Sequence, residues 1–427
     1  MELSPEQKLV FDEYKKGNNI FVTGPGGTGK THLIREIQKD AVACGRDVQV
    51  CALTGCAAIL LECKAKTVHS WAGIGLGTGS EKANLHRVEK YNKKPNWYLT
   101  DLLIIDEVSM MSLHLFDILN FIGQQVRDSP LPFGGIQLIF SGDFYQLPPV
   151  PDKAPKTKQF CFESPQWNTI FPQQIKLTVN YRQNEANFLT ALNEIRVGKL
   201  TAESIKLLET RVINTNGLQL PTDGIKPIKL FPRKYSVERI NRTEMAKINE
   251  PEHVYTVDVI KPLHIDDDRA AKEEKFLRGN ALFDEVVKLK KGAQVMCIAN
   301  VDLESHICNG SVGVVTNFDV QGYPIVKFKN GVERVMGKHQ WASEEIDEFA
   351  LAQVPLIIAY AVTIHKSQGA TVDLMELDVG SGVFECGQTY VGLSRVRSLD
   401  GLYIKEFNPQ KIKVNARVKR FYAAFAA

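Results

Sequence analysis

The chain has 427 residues, a formal net charge of +3, and 44% hydrophobic and 24% charged residues. This composition is typical of a soluble globular protein, and a length beyond roughly 250–300 residues predicts more than one domain. No apolar run reaches the roughly 18 residues of a membrane span, and the opening residues MELSPEQ lack the features of a secretory signal. Membrane and secreted classes are therefore excluded, and a soluble, intracellular, cytoplasmic protein is expected.

Charge and cysteine content say little about partners or metals. The small positive net charge permits nucleic-acid binding but does not argue for it, because a local groove matters more than the total. The eight cysteines include no C-x-x-C pair. Such pairs are the usual ligands of structural zinc sites, so reduced and mostly buried thiols are expected instead.

The first 180 residues alternate short apolar runs with helical patterns, as at 32–42. Unbroken apolar runs between helices predict a parallel sheet covered on both faces, and hence an α/β domain. The predicted strands are 20–24, 48–53, 102–106 and 136–143. Residues 63–97 interrupt the alternation with a Gly-rich and then basic stretch. We predict an insertion projecting from the first domain there, with an ordinary solvated loop as the alternative.

The second half of the chain changes pattern twice. Residues 188–211 are helical in spacing, and 228–241 predict a strand followed by a helix. Short strands separated by Asn-Gly and Gln-Gly turns then predict a small all-β barrel within 280–348. The α/β pattern returns after 350, so the barrel is expected to be inserted within a second α/β domain.

A phosphate-binding loop follows the first predicted strand. The sequence GPGGTGKT matches G-x-x-x-x-G-K-[ST] between a strand and a helix. Its glycines let backbone N–H groups surround phosphates, Lys30 is placed to reach the β- and γ-phosphates, and Thr31 to bind Mg²⁺. The nucleotide-binding residues predicted here are Gly24, Gly26, Gly27, Thr28, Gly29, Lys30 and Thr31.

A second acidic segment completes this nucleotide site. Asp106 ends the buried strand 102–106, where its carboxylate can hold the magnesium shell. Glu107 is then placed to orient or deprotonate the attacking water. An apolar strand ending in an acidic turn is common by itself, but beside a well-formed phosphate loop it indicates nucleotide hydrolysis. Gln146, which leaves another strand beside the phosphates, is placed to sense the γ-phosphate.

Several segments closely resemble the motifs of the Pif1-like helicases, the 5′→3′ translocating branch of superfamily 1. They are TGCAA (54–58), TVHSWAGIGLG (67–77), IIDEVSM (104–110), SGDFYQLPPV (141–150), IHKSQG (364–369) and YVGLSRVRS (390–398). The resemblance covers nearly the whole chain in the family's order and spacing.

The resemblance implies two RecA-like P-loop domains in tandem, an α/β fold class. The first spans 1–180 with a wedge insert at 63–97, and the second spans 181–427 with an SH3-like β-barrel insert at 280–348. The segment 194–211 resembles the Pif1 signature sequence, although charge and periodicity alone favour simple interdomain packing. A chain with so little outside the motifs resembles a compact bacterial or viral member or a trimmed helicase core.

The resemblance also implies further ATP contacts. Gln7 is expected to read the adenine, although a helix-capping role with Ser4 is the alternative. Gly369 is another expected contact. Arg182 is expected to approach the γ-phosphate, and Arg395 to act as the arginine finger of the second domain, while surface ion pairs are the alternative for both. With Lys30, Glu107 and Gln146, these two arginines form the predicted catalytic set, and ATP and Mg²⁺ are the implied cofactors.

The family's strand-binding segments imply a DNA track. Hydroxyls and backbone amides suit phosphates, and an aromatic ring suits base stacking. The predicted DNA-binding residues are Thr54, Gly55, His69, Ser70, Trp71, Phe144, Pro148, Thr363, His365, Lys366 and Ser367. For Trp71 a role in the core is the alternative, and Phe144 is equally ambiguous.

The implied function is an ATP-dependent DNA helicase that moves 5′→3′ on single-stranded DNA and unwinds duplexes in genome maintenance. Forks, single-strand to duplex junctions and G-quadruplexes are candidate targets, and a monomer without membrane contact is expected. Three alternatives remain open: an RNA helicase of the same superfamily, a non-motor P-loop switch or kinase, and a DNA-binding scaffold with a degenerate ATPase.

Overall fold

The computed structural model describes residues 3–61, 63–149, 159–215, 217–221, 224–231, 234–281, 283–302, 304–343, 346, 348–363, 371–380 and 386–426. Within these ranges, no helix is long and apolar enough to cross a membrane. The chain folds into two compact units. The first comprises Met1–Arg182, Glu385–Gln388 and Lys413–Ala427, and the second comprises Gln183–Phe384 and Thr389–Ile412.

The first unit is built on a six-stranded sheet in which every neighbouring pair is parallel. Its strands are β1 (Ile20–Thr23), β2 (Val48–Ala52), β3 (Lys66–Thr67), β4 (Leu102–Asp106), β5 (Gln137–Ser141) and β6 (Gln173–Lys176), in the order β3-β2-β4-β5-β1-β6. The four predicted strands are confirmed as β1, β2, β4 and β5. The other two are short and lie at the edges of the sheet, where little apolar sequence is needed.

Within the described residues, helix α1 precedes the sheet and seven further α-helices connect its strands. These helices are α1 (Pro5–Lys15), α2 (Lys30–Ala43), α3 (Gly55–Leu61), α4 (Val68–Ala72), α5 (Glu81–Lys90), α6 (Lys94–Leu99), α7 (Leu113–Val126) and α8 (Trp167–Ile170). Helix α2 packs Leu33, Ile34 and Ile37 into a core that also includes Val10 of α1 and the buried faces of the central strands. Parallel strands covered on both faces must be apolar throughout, which explains their unbroken sequence pattern.

The insertion predicted at 63–97 is helical and is held by two tryptophans. The ring centroids of Trp71 in α4 and Trp97 in α6 lie 4.5 Å apart, and both side chains are at most 1% exposed. Trp97 Nε1 donates to the Ala72 carbonyl at 3.2 Å, and Asn96 Nδ2 donates to the Trp71 carbonyl at 2.7 Å. Because α5 and α6 also pack on α7, the alternative of a solvated loop is wrong.

The second unit contains a four-stranded parallel sheet and several antiparallel sheets. Its strands are β7 (Ile228–Phe231), β8 (His253–Thr256), β9 (Asp258–Ile260), β10 (Val286–Leu289), β11 (Gln294–Cys297), β12 (Val312–Phe318), β13 (Pro324–Phe328), β14 (Glu333–Val335), β15 (His339–Ala342), β16 (Ala350–Gln353), β17 (Leu356–Ile358), β18 (Ala361–Thr363), β19 (Met375–Val379) and β20 (Leu402–Phe407). The parallel sheet has the order β18-β7-β19-β20.

The helices of the second unit are α9 (Ala186–Val197), α10 (Ala202–Glu209), α11 (Lys234–Ala246), α12 (Asp267–Asn280) and α13 (Gln388–Leu393), the last starting in the first unit. The predicted helical region 188–211 is therefore two helices. Helix α9 ends at Gly198, whose φ of 65° lies in the left-handed region that glycine adopts without strain. The predicted strand and helix at 228–241 are confirmed as β7 and α11.

The short strands expected between 280 and 348 are present as antiparallel sheets. One sheet has the order β14-β13-β12-β11-β17, a second β15-β16-β9, and a third pairs β10 with β8. The first and third of these sheets share an apolar core that includes Val295, Val315, Val326 and Phe328. Strands β8, β9, β16 and β17 extend this β structure beyond the predicted limits, and helix α12 lies between β9 and β10.

The last helix, α14 (Ala416–Ala423), belongs to the first unit. Phe421 stacks on Phe162 with ring centroids 4.3 Å apart, and Arg417 forms an ion pair with Glu163 at 3.0 Å. The predicted second domain had included these residues. Their packing partners lie far away in sequence, so no local pattern could have assigned the helix to the first unit.

Candidate functional site

The phosphate loop, Asp106 and the Gln146 segment follow neighbouring strands of the first sheet. Strands β4, β5 and β1 are adjacent and parallel, with Ile105 paired to Phe140 and Val22 paired to Ser141. Their carboxyl ends therefore lie side by side, and the phosphate loop, Asp106 and the Gln146 segment all leave from this edge. Ligands of open α/β sheets bind at this edge.

The loop between β1 and α2 is shaped so tightly that only glycine fits at two positions. A Cβ on Gly24 would lie 2.6 Å from the Leu177 carbonyl oxygen, and one on Gly27 would lie 2.7 Å from Arg182 Cβ. Gly27 also has a φ of +89°, in the left-handed region. The resulting turn passes directly into helix α2, whose N-terminus favours an anion.

Lys30 and Asp106 supply the opposite charges of this site. Lys30 Nζ donates to the carbonyls of Gly24 at 2.7 Å and Pro25 at 3.0 Å, so its ammonium group lies inside the loop. Burial raises the pKa of the Asp106 carboxyl, and the positive charge of Lys30 opposes that increase. A cation bound near Asp106 would act in the same direction as Lys30 and favour the carboxylate.

Glu107 sits in a strained backbone conformation immediately after β4. Its φ of 56° and ψ of 37° place it in the left-handed region, which costs a non-glycine residue about 1–3 kcal/mol. Strain of this kind persists where the surrounding structure fixes the residue, and it is concentrated at functional sites. The geometry is therefore consistent with the role predicted for Glu107.

Gln146 presents an unsatisfied polar atom in the same region. The side chain is 5% exposed, and its Oε1 finds no hydrogen-bond partner among the described residues. Its backbone N–H donates to the Asp143 carbonyl at 2.8 Å. Buried amide oxygens normally have a partner, and an orphan is a candidate for binding a ligand.

The side-chain amide of Gln7 both caps helix α1 and hydrogen-bonds to the phosphate loop. Its Oε1 accepts the Ser4 N–H at 2.9 Å, which forms the capping box of α1 that was the alternative interpretation. Its Nε2 donates to the carbonyls of Thr28 at 3.4 Å and Gly29 at 3.3 Å. Gln7 thus holds the backbone of the phosphate loop through hydrogen bonds, and its role in reading adenine stays a prediction.

Asn180 and Tyr181, which the sequence does not predict, also contact the phosphate loop. Asn180 Nδ2 donates to the Gly26 carbonyl at 2.9 Å, and the Tyr181 N–H donates to the Gly27 carbonyl at 2.8 Å. The Tyr181 ring is 42% exposed beside Gly29. The sequence signal for both residues is the tetrapeptide Asn-Tyr-Arg-Gln (180–183), which also contains Arg182. The Arg182 side chain packs close to Gly27 of the phosphate loop, and its approach to the γ-phosphate stays a prediction.

The residues present fit a nucleotide with a divalent cation. The loop offers a glycine-shaped cradle, a lysine ammonium group and a helix N-terminus for phosphates. Thr31, in the first turn of α2, and Asp106 offer the hard oxygen atoms that Mg²⁺ prefers. The Oε1 of Gln146, on the segment that follows β5, is a further polar atom without a partner among the described residues.

A neighbouring part of the same edge carries the first predicted DNA-binding residues. Strands β2 and β3 are parallel, with Ala52 paired to Thr67, so the segments after them leave side by side. Thr54 immediately precedes α3, Gly55 is its first residue, and His69 and Ser70 lie in α4. His69 is half-buried, and burial holds the pKa of its imidazole below the usual value. A neutral ring is therefore favoured at pH 7, suited to hydrogen bonding or stacking more than to phosphate pairing.

Comparisons with known proteins decide the family. The PIF1-like helicase model matches residues 2–206, and the model of the DNA helicase Pif1 2B domain matches residues 276–318. The ATP-dependent DNA helicase Pif1 of Bdellovibrio bacteriovorus is 34% identical over 429 residues, covering 100% of this chain and 92% of the relative. This chain belongs to the Pif1 helicase family.

Two further members of the Pif1 family extend the comparison. The ATP-dependent DNA helicase PIF1 of Xenopus laevis is 35% identical over 99% of this chain, which spans 64% of that relative's length. The crystal structure of the Bacteroides Pif1 helicase in complex with ADP-AlF3 and ssDNA has a TM-score of 0.64 and 28% identity, covering 100% of this chain and 98% of that one. The mixed α/β fold with parallel sheets therefore matches Pif1 structures with tandem RecA-like domains.

Two aromatic residues that the Pif1 resemblance assigned to DNA are buried in the core. Trp71 is 1% exposed and packs on Trp97, and Phe144 is 2% exposed. Phe144 contacts Phe162 and Phe421 with ring centroids 4.7 and 5.4 Å away. Neither ring presents a face for a base to stack on, so the core alternative is the correct one for both. Pro148, which follows the Gln146 segment, is half-buried.

Replacing Trp71 by alanine is expected to lower the free energy of unfolding by about 3–5 kcal/mol, because a large buried ring is lost. Urea unfolding measures the loss. Tyr91→Ala is the matched control, since that ring lies in the same insertion and is 60% exposed, and it should change stability by less than about 0.5 kcal/mol. If Trp71→Ala keeps full stability and instead weakens single-stranded DNA binding, the ring acts on DNA.

Only some of the predicted site residues of the second unit lie within the described part of the chain. Thr363 ends β18 and is half-buried, while His365, Lys366, Ser367 and Gly369 lie outside the described residues. Arg395 is buried just after α13, where its Nε donates to the Val391 carbonyl at 3.1 Å. Gln183 Nε2 donates to the carbonyls of Ser394 at 3.1 Å and Val396 at 3.0 Å, on either side of Arg395. The surface ion-pair alternative for Arg395 does not fit a side chain that is 3% exposed.

Proposed function

We propose that this chain is an ATP-driven DNA helicase that moves 5′→3′ on single-stranded DNA. One observation carries the proposal: the phosphate loop with Lys30 and the acidic residues Asp106 and Glu107 follow the two strands that flank β5, in a chain of the Pif1 family. The vertebrate relatives from Xenopus laevis and Homo sapiens are named ATP-dependent DNA helicases. The neighbouring ends of β2 and β3 offer the strand-binding segments of the same unit.

In this proposal each residue at the edge has one task in ATP hydrolysis. The loop amides and Lys30 bind the β- and γ-phosphates, and Thr31 and Asp106 hold Mg²⁺. When bound, the cation neutralises charge that develops on the phosphate oxygens. Glu107 orients and deprotonates the attacking water, and the amide of Gln146 hydrogen-bonds near the γ-phosphate and senses its loss. Gln7 and Gly369 complete the nucleotide contacts.

The domain motion that drives translocation would depend on two arginines that contact the γ-phosphate. Arg182 is carried by the chain segment that contacts the phosphate loop, and Arg395 is carried by the second unit. An arginine finger supplied by a second domain makes hydrolysis depend on domain closure, and loss of the γ-phosphate then releases the closed state. That cycle converts a chemical step into movement along a strand.

The track is proposed to be single-stranded DNA. Thr54, Gly55, His69 and Ser70 of the first unit, with Pro148 at the end of the Gln146 segment, would contact one stretch of the backbone. Thr363, His365, Lys366 and Ser367 would contact another. Hydroxyls and backbone amides hold phosphates without reading sequence, as a motor that passes every base requires. The related Bacteroides helicase was crystallised with ADP-AlF3 and ssDNA.

Direction and strand type are tested together with tailed duplexes. We expect unwinding of a duplex with a 5′ single-stranded tail and at least about tenfold slower unwinding of the same duplex with a 3′ tail, because translocation is directional. Poly-dT should stimulate ATP hydrolysis more than poly-U. Strand separation is followed by fluorescence dequenching, and hydrolysis by phosphate release. G-quadruplex substrates in the same assay test the genome-maintenance role.

Each other outcome corresponds to an alternative function. Faster unwinding from the 3′ tail would reverse the proposed direction. Equal or greater stimulation by poly-U would favour an RNA helicase. Hydrolysis without any strand separation would favour a non-motor switch, and strand binding without hydrolysis would favour a scaffold.

A further inference from the structure

The C-terminal helix α14 places a tyrosine hydroxyl between two parts of the nucleotide site. Tyr422 Oη lies 2.6 Å from Thr23 Oγ1, a contact in which either hydroxyl can donate. It also accepts the Phe144 N–H at 3.2 Å. Thr23 ends β1 immediately before the phosphate loop, and Phe144 lies two residues before Gln146. One oxygen atom thus joins the strand that leads into the loop to the segment that carries Gln146.

Packing around this hydroxyl fixes its position. The Tyr422 ring stacks on Tyr145 with centroids 4.8 Å apart and planes 12° from parallel. Thr23 is 0% and Phe144 is 2% exposed, so water has little access to the groups it bonds. The stacking of Phe421 and the ion pair of Arg417 described above hold the helix itself. Tyr422 therefore extends from a helix that is packed against the first unit.

The Gln146 segment is also confined by a third part of the first unit. A Cβ on Gly387 would lie 2.5 Å from the carbonyl oxygens of both Tyr145 and Gln146. The Gly387 N–H donates to the Lys413 carbonyl at 3.2 Å, in the stretch that leads to α14. The backbone at Gln146 is thus packed closely by Gly387, and its neighbour Phe144 is hydrogen-bonded to Tyr422.

We propose that Tyr422 is a positioning residue for ATP hydrolysis. By fastening Phe144 to Thr23, its hydroxyl sets the distance between the Gln146 amide and the phosphate loop. The effect acts through Gln146, so Tyr422 itself touches no reacting atom. This inference rests on the proposed function and names a further residue on which that function depends.

Tyr422→Phe is the direct test, because it removes the hydroxyl and keeps the stacked ring. We expect kcat for ATP hydrolysis to fall about ten- to a hundredfold, the usual result of a small misplacement of a group near the reaction. The KM for ATP and the Kd for a fluorescent ADP analogue should change by less than about twofold, because the loop that binds the phosphates is intact.

Tyr14→Phe is the matched control. Tyr14 lies in the same unit, is 1% exposed, and its hydroxyl donates to Asp40 Oδ2 at 2.8 Å, so the variant loses a comparable hydrogen bond away from the Gln146 segment. It should lower the melting temperature about as much as Tyr422→Phe and leave kcat unchanged. If Tyr422→Phe behaves in the same way as this control, or weakens ADP binding as much as it lowers kcat, the proposal is overturned.

A double-mutant cycle tests the shared bond from its other end. Thr23→Val removes the second hydroxyl with little change of shape, and it should lower kcat by a similar factor even if Tyr422→Phe proves insoluble. The double variant should lose no more than the larger single loss, because both remove one interaction. Multiplying losses would overturn the proposal. If the unchanged protein itself hydrolyses no ATP, the proposed function fails instead.

Discussion

Lys30→Ala is expected to abolish ATP hydrolysis and strand separation together, with a loss of at least about 10³-fold in kcat. Its ammonium group lies inside the phosphate loop against the carbonyls of Gly24 and Pro25. In the proposed complex it would balance the negative charge of the β- and γ-phosphates, a contribution of about 4 kcal/mol or more to the transition state. Phosphate release and duplex unwinding, measured on the same preparation, give the two rates.

The control for this variant is Lys39→Ala on the same helix. Lys39 is 69% exposed and pairs with Glu36 at 2.9 Å, so its removal should leave both rates within about twofold. Lys30→Ala should keep the melting temperature and the affinity for oligo-dT of the unchanged protein. Hydrolysis at the native rate by Lys30→Ala would mean that the nucleotide is processed elsewhere.

Arg395→Ala is expected to lower kcat for hydrolysis by 10³ to 10⁵, on the order of 4–7 kcal/mol, while the Kd for ATP changes little. A finger residue stabilises charge in the transition state, so its loss appears in kcat and not in ground-state binding. Single-turnover phosphate release and equilibrium binding of a fluorescent ATP analogue separate the two quantities. Arg395→Lys should recover only part of the rate, because an ammonium group lacks the planar fork of guanidinium.

Arg397→Ala is the matched control, two residues away on the same turn. Its guanidinium is 56% exposed and lies 3.4 Å from Asp373, so the change should leave kcat within about twofold. Native turnover by Arg395→Ala would remove the second unit from the chemistry. The chain would then act as a P-loop switch in which nucleotide hydrolysis does not require two domains.

The elements that the sequence predicted correctly have strong local signals. Strand β4 is five consecutive buried residues, and the phosphate loop is specified by its own glycines and lysine. Strands β3 and β6 were missed because a short edge strand needs only a few paired residues and has no apolar run. Asn180 was overlooked because its role depends on an amide reaching Gly26 from a segment distant in sequence.

The burial of the aromatic residues could not be predicted from their local sequence. Trp71 and Phe144 each lie beside polar motif residues, a context that suits either a stacked base or a core. Burial was decided by Trp97 for one and by Phe162 and Phe421 for the other. The face that a ring presents depends on such neighbours, and Phe421 comes from the opposite end of the chain. For the same reason the hydroxyl of Tyr422 had no sequence signal at all.

The return of α14 to the first unit has a consequence for synthesis. Phe21, Phe144 and Trp167 are synthesised before the second unit, whereas Phe421, which packs against all three, follows the second unit in the chain. At about 5–20 residues per second, the nascent first unit waits roughly 10 to 50 seconds with this aromatic face uncovered. During that interval it exposes an apolar surface of the kind that chaperones bind. Its nucleotide site is completed only after the entire second unit has been synthesised.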